Sequence, residues 1–313
     1  MDWDSKRVLV TGSSGVIGRV LVDLLSQRDA EILSVDKESD STIEPEVNHI
    51  QVDLSREVPS ELRDFDPHVV MHLAAEFERT SERPGYWKVS FDNNPLLSNK
   101  LLRTLEGASS LETYVFASSY LIYDSSLYTD VSGVYSIHED DRISPRNMVG
   151  VGKYYTEKEI SFASNTSDKF RSVLPRIYRV YGRGSRDVIS RWIRSAIREE
   201  PIEVYGESNQ FDYVFAGDVA EGLMRLAEAE NASGVVNLAT GRGQSISKVV
   251  AILKDIFPNL EVETVENSHP VESSEADMCR FKELTDWCPS TDLEEGIRKV
   301  VQFERSQINY SGA

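Results

Sequence analysis

The sequence has few cysteines and no long apolar run. Cys279 and Cys288 are the only two cysteines in 313 residues, and their spacing fits neither a metal site nor a disulfide framework. A reducing compartment is therefore expected. The N-terminal MDWDSKRVLV lacks the basic flank and apolar stretch of a signal peptide, and no run approaches the roughly 18 apolar residues of a membrane span. We predict a cytoplasmic protein with no membrane partner and no metal.

Basic residues are also scarce. Lys and Arg number 34 against 52 Asp and Glu, which gives a net charge of -18. Such a charge repels nucleic-acid phosphates and anionic lipid unless it is locally reversed. Because the acidic residues are spread along the chain, they indicate an ordinary solvated surface. Nucleic acid is therefore not expected as a partner.

Internal repeats, low-complexity tracts and an obvious linker are absent from the sequence as well. What it contains is a regular alternation of β-branched apolar runs with apolar residues at helical spacing. The predicted strands are 7–11, 31–35, 49–52, 68–73, 113–117 and 171–178, and a final helix is predicted near 293–303. This alternation is typical of an α/β protein with a doubly wound parallel sheet that is covered by helices on both faces.

A glycine-rich turn lies between the first strand and the first helix. Gly12, Gly15 and Gly18 permit a tight turn and allow backbone amides to approach a pyrophosphate at the helix N-terminus. Asp36 closes the second strand, where a carboxylate accepts hydrogen bonds from ribose hydroxyls and repels a 2′-phosphate. The pattern therefore predicts NAD, in preference to NADP, as the cofactor.

Besides the glycine turn, a series of short motifs is spread over essentially the whole chain. They are TGSSGVIG, VDL, HLAA, NPLLSNKLL, ASSYLIYD, RIYRVYG, NLATG and ADMCRFKEL. In this order they resemble those of the extended short-chain dehydrogenase/reductase family, the NAD-dependent epimerases and dehydratases of nucleotide sugars. The resemblance implies a Rossmann-like fold with an NAD-binding domain at 1–178 plus 212–240. A smaller C-terminal substrate-binding lobe would comprise 179–211 plus 241–313.

The same resemblance implies residue roles and an assembly. Relatives usually form two-fold dimers through two long helices, here those near 86–106 and 149–166, so a homodimer is expected. A nucleotide sugar is the implied substrate. The implied NAD-binding residues are Gly12, Gly15, Val16, Ile17, Gly18, Asp36, Asp53, Leu54, Leu73, Ala74, Ala75, Asn94 and Lys153.

The catalytic tyrosine of this family is in question here. Relatives use a serine or threonine with a Tyr-Lys pair four residues apart on one helical face. Read literally, Tyr154 and Lys158 form that pair. The flanks of SPRNMVGVGKYYTE instead resemble the family's P-R-N-P-Y-G-x-S-K, which places Val149 at the tyrosine and Lys153 at the lysine. The two pairs lie about 140° apart around a helix, so both cannot face the cofactor. The flanks favour the second register.

Neighbouring residues supply the other catalytic candidates. Ser119 matches the family's Ser/Thr position, and the adjacent Tyr120 is a candidate substitute for the missing proton carrier. The catalytic set is therefore Ser119, Tyr120 and Lys153. We expect His72 to be a packed strand-end histidine and Tyr123 to be structural.

Two further departures concern the substrate's phosphates. Phe211 stands where the family's R-D-F motif has an arginine, and His269 stands where a second arginine often occurs. Arg179 and Arg186, or Arg183, could restore positive charge toward a diphosphate, or could be ordinary surface arginines.

The leading hypothesis is an NAD-dependent nucleotide-sugar epimerase or dehydratase with an atypical active site. A catalytically silent NAD-binding scaffold or sensor is the alternative, because the chain keeps the cofactor site but lacks the tyrosine and the phosphate arginine. A third hypothesis is a reductase of a small carbonyl compound, which would need no phosphate arginines.

Overall fold

The secondary structure follows the predicted alternation of strands and helices. The computed structural model describes residues 2–39, 47–77, 84–167, 169–265 and 270–311. The strands are β1 Arg7–Thr11, β2 Glu31–Asp36, β3 Asn48–Gln51, β4 Val69–His72, β5 Thr113–Phe116, β6 Ser118–Ser119, β7 Tyr135–Ile137, β8 Arg171–Ile177, β9 Arg179–Tyr181, β10 Ile202–Tyr205, β11 Gln210–Phe215, β12 Gly234–Leu238, β13 Gly243–Ser245, β14 Val262–Val265 and β15 Ser274–Ala276. The helices are α1 Val16–Ser26, α2 Glu61–Asp64, α3 Pro84–Phe91, α4 Leu97–Leu105, α5 Met148–Ser167, α6 Val188–Ile197, α7 Ala216–Glu228, α8 Ile246–Ile256, α9 Cys279–Thr285 and α10 Leu293–Ser311.

The main sheet is parallel and doubly wound. Its strand order is β12-β8-β5-β4-β1-β2-β3, with β6 paired to β8, and every pair in it is parallel. The chain runs outward from β1 to β3 and then returns to β4 on the other side of β1. This reversal creates a crevice at the carboxyl ends of β1 and β4, which is where open α/β sheets bind ligands.

Both faces of the sheet are buried, which explains its continuous apolar runs. Val8 and Val10 of β1 belong to one core together with residues of α1 and α7, whereas Leu9 belongs to a second core with residues of α4. Alternate residues of a strand point to opposite faces. Each fully buried side chain of this size stabilises the fold by about 1.5–3 kcal/mol relative to an exposed one.

A separate core is formed by residues from the second half of the chain. Apolar residues from α6, α8 and α10 pack there with those of β10 and β11. Three small sheets accompany it, formed by β9-β11-β13, by β10-β14 and by β7-β15. The division of the chain at the predicted domain boundaries stays a prediction. In the described segments, no helix is both long and apolar enough to cross a membrane.

The final helix is longer than the predicted 293–303. Val300 and Val301 are buried, and one turn later Glu304 accepts a hydrogen bond from Arg194 Nη1 of α6 at 2.8 Å. The helix therefore keeps tertiary contacts beyond its predicted end and continues to Ser311.

A π-helical turn, Asp92–Leu96, joins α3 to α4. Pro95 lies inside it. Proline has no N–H to donate and its ring clashes with the preceding turn, so the wider turn accommodates it. The sequence predicts a helical segment here but not this bulge, which sets the position of Asn94.

One buried carboxylate joins two strands and a loop. Asp212 of β11 accepts hydrogen bonds from Thr240 Oγ1 at 2.5 Å and from the backbone N of Thr240, Gly241, Arg242 and Ala276 at 2.8 to 3.2 Å. The loop after β12 and strand β15 are thereby fixed to β11.

Asp212→Ala should destabilise the fold by about 3 kcal/mol or more, because each buried donor left without an acceptor costs about 1–3 kcal/mol. Urea unfolding followed by circular dichroism measures the change. The matched control is Asp255→Ala, which removes an exposed ion pair with Arg298 and should cost less than about 1 kcal/mol. Equal losses in the two variants would contradict this role of Asp212.

Candidate functional site

The turn from β1 to α1 is built so closely that only glycine fits at two positions. Gly12 has φ +75°, and a Cβ on it would lie 2.7 Å from Ala74 N. A Cβ on Gly18 would lie 2.1 Å from Gly12 O. Helix α1 begins after Gly15 without a side-chain cap, and the buried Ser13 Oγ has no hydrogen-bond partner among the described residues. These features fit a pyrophosphate held by backbone amides.

Asp36 lies beside this turn. Its Oδ2 accepts a hydrogen bond from Ser14 N at 3.0 Å, and its Oδ1 accepts one from Glu38 N at 3.0 Å. The carboxylate is thus held at the carboxyl end of β2, next to the glycine turn. This position suits recognition of ribose hydroxyls and disfavours a 2′-phosphate, as the sequence predicts for NAD.

Other NAD candidates lie around the same crevice. Val16 and Ile17 begin α1 and are partly buried. The Asp53 carboxylate accepts hydrogen bonds from Ser55 Oγ at 2.6 Å and Ser55 N at 3.0 Å, which lower the pKa of Asp53 and keep it ionised. Leu54 is a core residue, so only its backbone is available to a ligand.

The loop after β4 is fixed by its neighbours. Leu73 N donates to Thr11 O at 3.0 Å and Ala74 N to Thr11 Oγ1 at 3.3 Å, which aligns the Leu73–Ala75 segment with the end of β1. The buried Asn94 accepts from Glu76 N at 2.9 Å and donates to Glu76 O at 3.2 Å. These bonds attach the π-helical turn that carries Asn94 to the loop after β4, at the edge of the crevice.

Of the two candidate residue pairs on α5, the structure buries one. Val149 and Lys153 are buried, whereas Lys158 is exposed, with its Nζ 5.1 Å from the Tyr154 ring centroid. One turn beyond Lys153, the buried Glu157 accepts hydrogen bonds from Ser118 of β6 and Arg176 of β8, which fix the rotation of α5 about its axis. The structure thus places a valine, and not Tyr154, on the inward face beside the lysine.

Lys153 is held at the carboxyl end of β5. Its Nζ donates to Ala117 O at 2.5 Å and lies 4.6 Å from the Phe116 ring centroid. Burial lowers the pKa of Lys153 to about 8, and the Glu157 carboxylate opposes that effect. A buried amine with this pKa can be charged or neutral near pH 8. It can therefore donate hydrogen bonds to ribose hydroxyls or, when neutral, accept one.

Ser119 and Tyr120 follow β5 directly. The Ser119 Oγ is buried and accepts a hydrogen bond from Leu121 N at 3.2 Å. The Tyr120 ring stacks on Tyr178, with centroids 5.0 Å apart, and packs in one apolar cluster with Val149. The Tyr120 phenol therefore belongs to the same apolar cluster as Val149, which the sequence analysis places at the family's tyrosine position.

Two residues that the sequence did not identify join the site. Glu272 Oε1 accepts a hydrogen bond from Arg146 Nη1 at 2.6 Å, and Glu272 Oε2 accepts one from Arg179 Nη2 at 3.5 Å. The Arg179 guanidinium also lies 3.4 Å from the centroid of the Phe211 ring. Arg146 and Glu272 are 126 residues apart in the chain; the P-R-N flank of α5 was the only local signal for either of them.

The remaining candidates divide into structural and peripheral residues. His72 is fully buried between Thr11 and Ser98, and burial lowers its pKa to about 3, so it is a neutral packed histidine, as predicted. Tyr123 donates to Asn237 Oδ1 at 2.7 Å, which fits its predicted structural role. Arg183 and Arg186 are exposed. His269 lies outside the described residues.

A model of the NAD dependent epimerase/dehydratase family matches residues 8–239. The chain belongs to this family. UDP-glucuronic acid decarboxylase 4 of Arabidopsis thaliana is 27% identical over 317 residues, which cover 96% of this chain and 69% of the relative. The structure of MoeE5 in complex with UDP-glucose and NAD is 29% identical and has a TM-score of 0.82, over 96% of this chain and 99% of that chain.

The likeness to the epimerase Mth375 of Methanothermobacter thermautotrophicus concerns the fold alone, with 23% identity and a TM-score of 0.87 over 98% of this chain and 94% of that one. The predicted family, its Rossmann-like fold and its dependence on NAD are thereby confirmed. The departures from the family pattern that the sequence indicates at Val149 and Phe211 stay predictions.

Lys153→Met tests the cost of burying this charge. The pKa of Lys153 falls from 10.5 to about 8 on folding. Below about pH 8 Lys153 is charged in both the folded and the unfolded chain, so folding bears the full cost of burying the charge. Above about pH 10.5 Lys153 is neutral in both, and this cost disappears. The variant should therefore exceed the wild type in stability by about 3 kcal/mol at neutral pH, at about 1.4 kcal/mol per pKa unit. That difference should shrink as the pH rises through this window.

Urea unfolding at a series of pH values measures the difference. Lys158→Met is the matched control, because Lys158 is exposed on the opposite face of α5, and its difference from the wild type should stay near zero throughout. A difference for Lys153→Met that does not change with pH would show that the amine is not buried as a cation.

Proposed function

We propose that the chain is an NAD-dependent epimerase or dehydratase of a nucleotide-linked sugar in which Tyr120 takes the place of the family's tyrosine. The observation that carries this proposal is the packing of Tyr120 and Val149 in one apolar cluster, with Lys153 retained one turn further along α5. The relatives' printed names and complexes, which involve UDP-sugars, support a nucleotide sugar as substrate.

The proposed chemistry begins with oxidation of a sugar carbon. Bound NAD would supply the acceptor for the hydride. The Tyr120 phenolate would accept the hydroxyl proton and return it later, and Ser119 would orient the same hydroxyl. Lys153 would hold the nicotinamide ribose from the end of β5. The loops at Gly12–Gly18 and Leu73–Ala75, with Asp36, Asp53 and Asn94, would hold the rest of the cofactor.

The positive charge that binds the substrate would come from β9, and not from β11, where the family's R-D-F motif supplies an arginine. Arg179 of β9 stacks on Phe211 of β11, which occupies the position of the family's R-D-F arginine. The Arg179 guanidinium is therefore in direct contact with Phe211, the side chain at the position of the family's arginine. Arg179 would bind an anionic part of the substrate, and the exposed Arg186 would assist at the entrance.

Tyr120→Phe should lower the rate of sugar conversion by about 100-fold or more, because it removes the proposed proton carrier. Proton NMR of UDP-glucose, UDP-galactose and UDP-glucuronate incubated with the protein and NAD measures conversion. The matched control is Tyr154→Phe on the outer face of α5, which should leave the rate unchanged.

A silent NAD-binding protein predicts a different outcome. Because Val149 cannot carry a proton, that alternative expects NAD binding with no sugar conversion and no absorbance of NADH at any UDP-sugar concentration. Conversion that survives Tyr120→Phe would reject Tyr120 as the proton carrier while retaining the enzyme.

The homodimer is part of the proposal. Phe91 of α3 and Val151, Tyr155 and Phe162 of α5 are apolar or aromatic and between 45% and 71% exposed. These helices lie in the two segments predicted to form the interface. Exposed apolar side chains that share one surface favour a protein contact.

Tyr155→Glu should weaken the dimer, since it places a charge in the centre of the proposed contact. Light scattering coupled to gel filtration measures the mass, and we expect a shift from dimer toward monomer at micromolar concentration. Val131→Glu, which changes an exposed valine on a loop away from these helices, is the control. A wild-type chain that is monomeric at high concentration would reject the proposed dimer.

A further inference from the structure

The contact of Glu272 with Arg146 and Arg179 has the form of a carboxylate bound by two guanidinium groups, and we call these residues the carboxylate clamp. Each Glu272 oxygen faces a different arginine, at 2.6 Å from Arg146 Nη1 and at 3.5 Å from Arg179 Nη2. Arginine presents planar, fork-shaped donors that match carboxylate oxygens. The arginines come from the segment just before α5 and from β9, so the fold is what brings them together.

The clamp is accessible enough for its carboxylate to be exchanged. The side chains of Arg146, Arg179 and Glu272 are 26%, 20% and 23% exposed. Breaking a partly buried ion pair is costly when one of its charges is left unpaired. A carboxylate from a ligand would keep both guanidinium groups paired, so it can replace that of Glu272 without leaving either cation uncompensated.

Unpaired polar atoms beside the clamp point to a polar ligand. The hydroxyls of Tyr128 and Tyr213 and the Nε of Arg179 are buried and have no hydrogen-bond partner among the described residues. Tyr213 lies directly across from Arg179 in the β9-β11 pair, and the Tyr128 ring centroid lies 5.8 Å from the Arg146 guanidinium. Buried groups of this kind are nearly always paired in native proteins, so a polar ligand beside the clamp would account for them.

The clamp lies at the reacting end of the proposed site. Arg146 precedes Val149 by three residues, and the Arg179 guanidinium lies 5.9 Å from the Tyr120 ring centroid. Burial opposes the charge on Arg146, but Tyr120 and the hydrogen bond to Glu272 raise the pKa of Arg146 above its ordinary value. Both cations are therefore beside the proposed proton carrier, where the sugar ring would lie.

We infer that Arg146 and Arg179 bind a carboxylate carried by the sugar of the substrate, and that Glu272 occupies their guanidinium groups until this carboxylate displaces it. The inference rests on the proposed function and narrows its substrate class to nucleotide-linked uronic acids. Glu272 would also select against neutral sugars, because they cannot compensate the two cations once Glu272 has moved.

Calorimetric titration of the NAD-loaded protein with UDP-glucuronate, UDP-glucose and UDP tests the clamp. For Arg146→Gln we expect the affinity for UDP-glucuronate to fall at least tenfold, with the affinities for UDP-glucose and UDP within twofold of wild type. For Glu272→Gln we expect UDP-glucuronate to bind several-fold more tightly, since the competing carboxylate is gone. Arg142→Gln is the matched control, an exposed arginine four residues earlier that pairs with Asp124.

Each outcome decides the inference. Selective changes for UDP-glucuronate support it, whereas parallel changes for all three ligands would assign the clamp to the diphosphate and overturn it. Binding of all three ligands with no response to either substitution also overturns it and leaves the proposed function standing. A wild-type chain that binds NAD but none of the three ligands rejects the proposed function itself. Arg146→Lys, which keeps the charge but not the fork, replaces Arg146→Gln if the latter does not fold.

Discussion

A buried ion pair determines which face of α5 enters the site. Glu157 Oε1 accepts hydrogen bonds from Ser118 Oγ at 2.5 Å and Arg176 Nε at 3.0 Å, and its Oε2 accepts one from Arg176 Nη2 at 2.9 Å. These bonds attach the helix to β6 and β8. Rotation of α5 would leave a buried charge unpaired, which costs several kcal/mol. Lys153 and Val149, one and two turns earlier, are therefore held inward.

This constraint fixes which side chains of α5 are buried: Val149 and Lys153 are, whereas Lys158 is exposed. With the rotation of α5 set, Tyr154 does not share the inward face of Lys153, although Tyr154 is only five residues from Val149. The groups that could replace the lost functions come from the segment after β5 and from β9. Tyr120 belongs to the same apolar cluster as Val149, and Arg179 stacks on Phe211. In the proposed function, these two neighbouring elements supply the phenol and the cation that the sequence does not place at the family's positions.

Local sequence patterns predicted the architecture well. The strands of a parallel sheet are buried on both faces, so they appear as apolar β-branched runs, and β1, β2 and β8 begin where predicted. The glycine turn was predictable because its spacing reflects a steric requirement within one short segment. The π turn around Pro95 was not, since a proline in a helical pattern can kink, end or widen the helix. The contact between Arg146 and Glu272 has no local signal at all.

The sequence by itself determined the family, the doubly wound sheet and the preference for NAD, because each depends on residues close together in the chain. It also raised the two registers of α5 and favoured the one with Val149. Tertiary structure decided which face of α5 is buried, and it brought Arg146, Arg179 and Glu272 together. Contacts of that kind join elements far apart in sequence, and their geometry depends on how the helices and strands pack, which no short pattern of residues records.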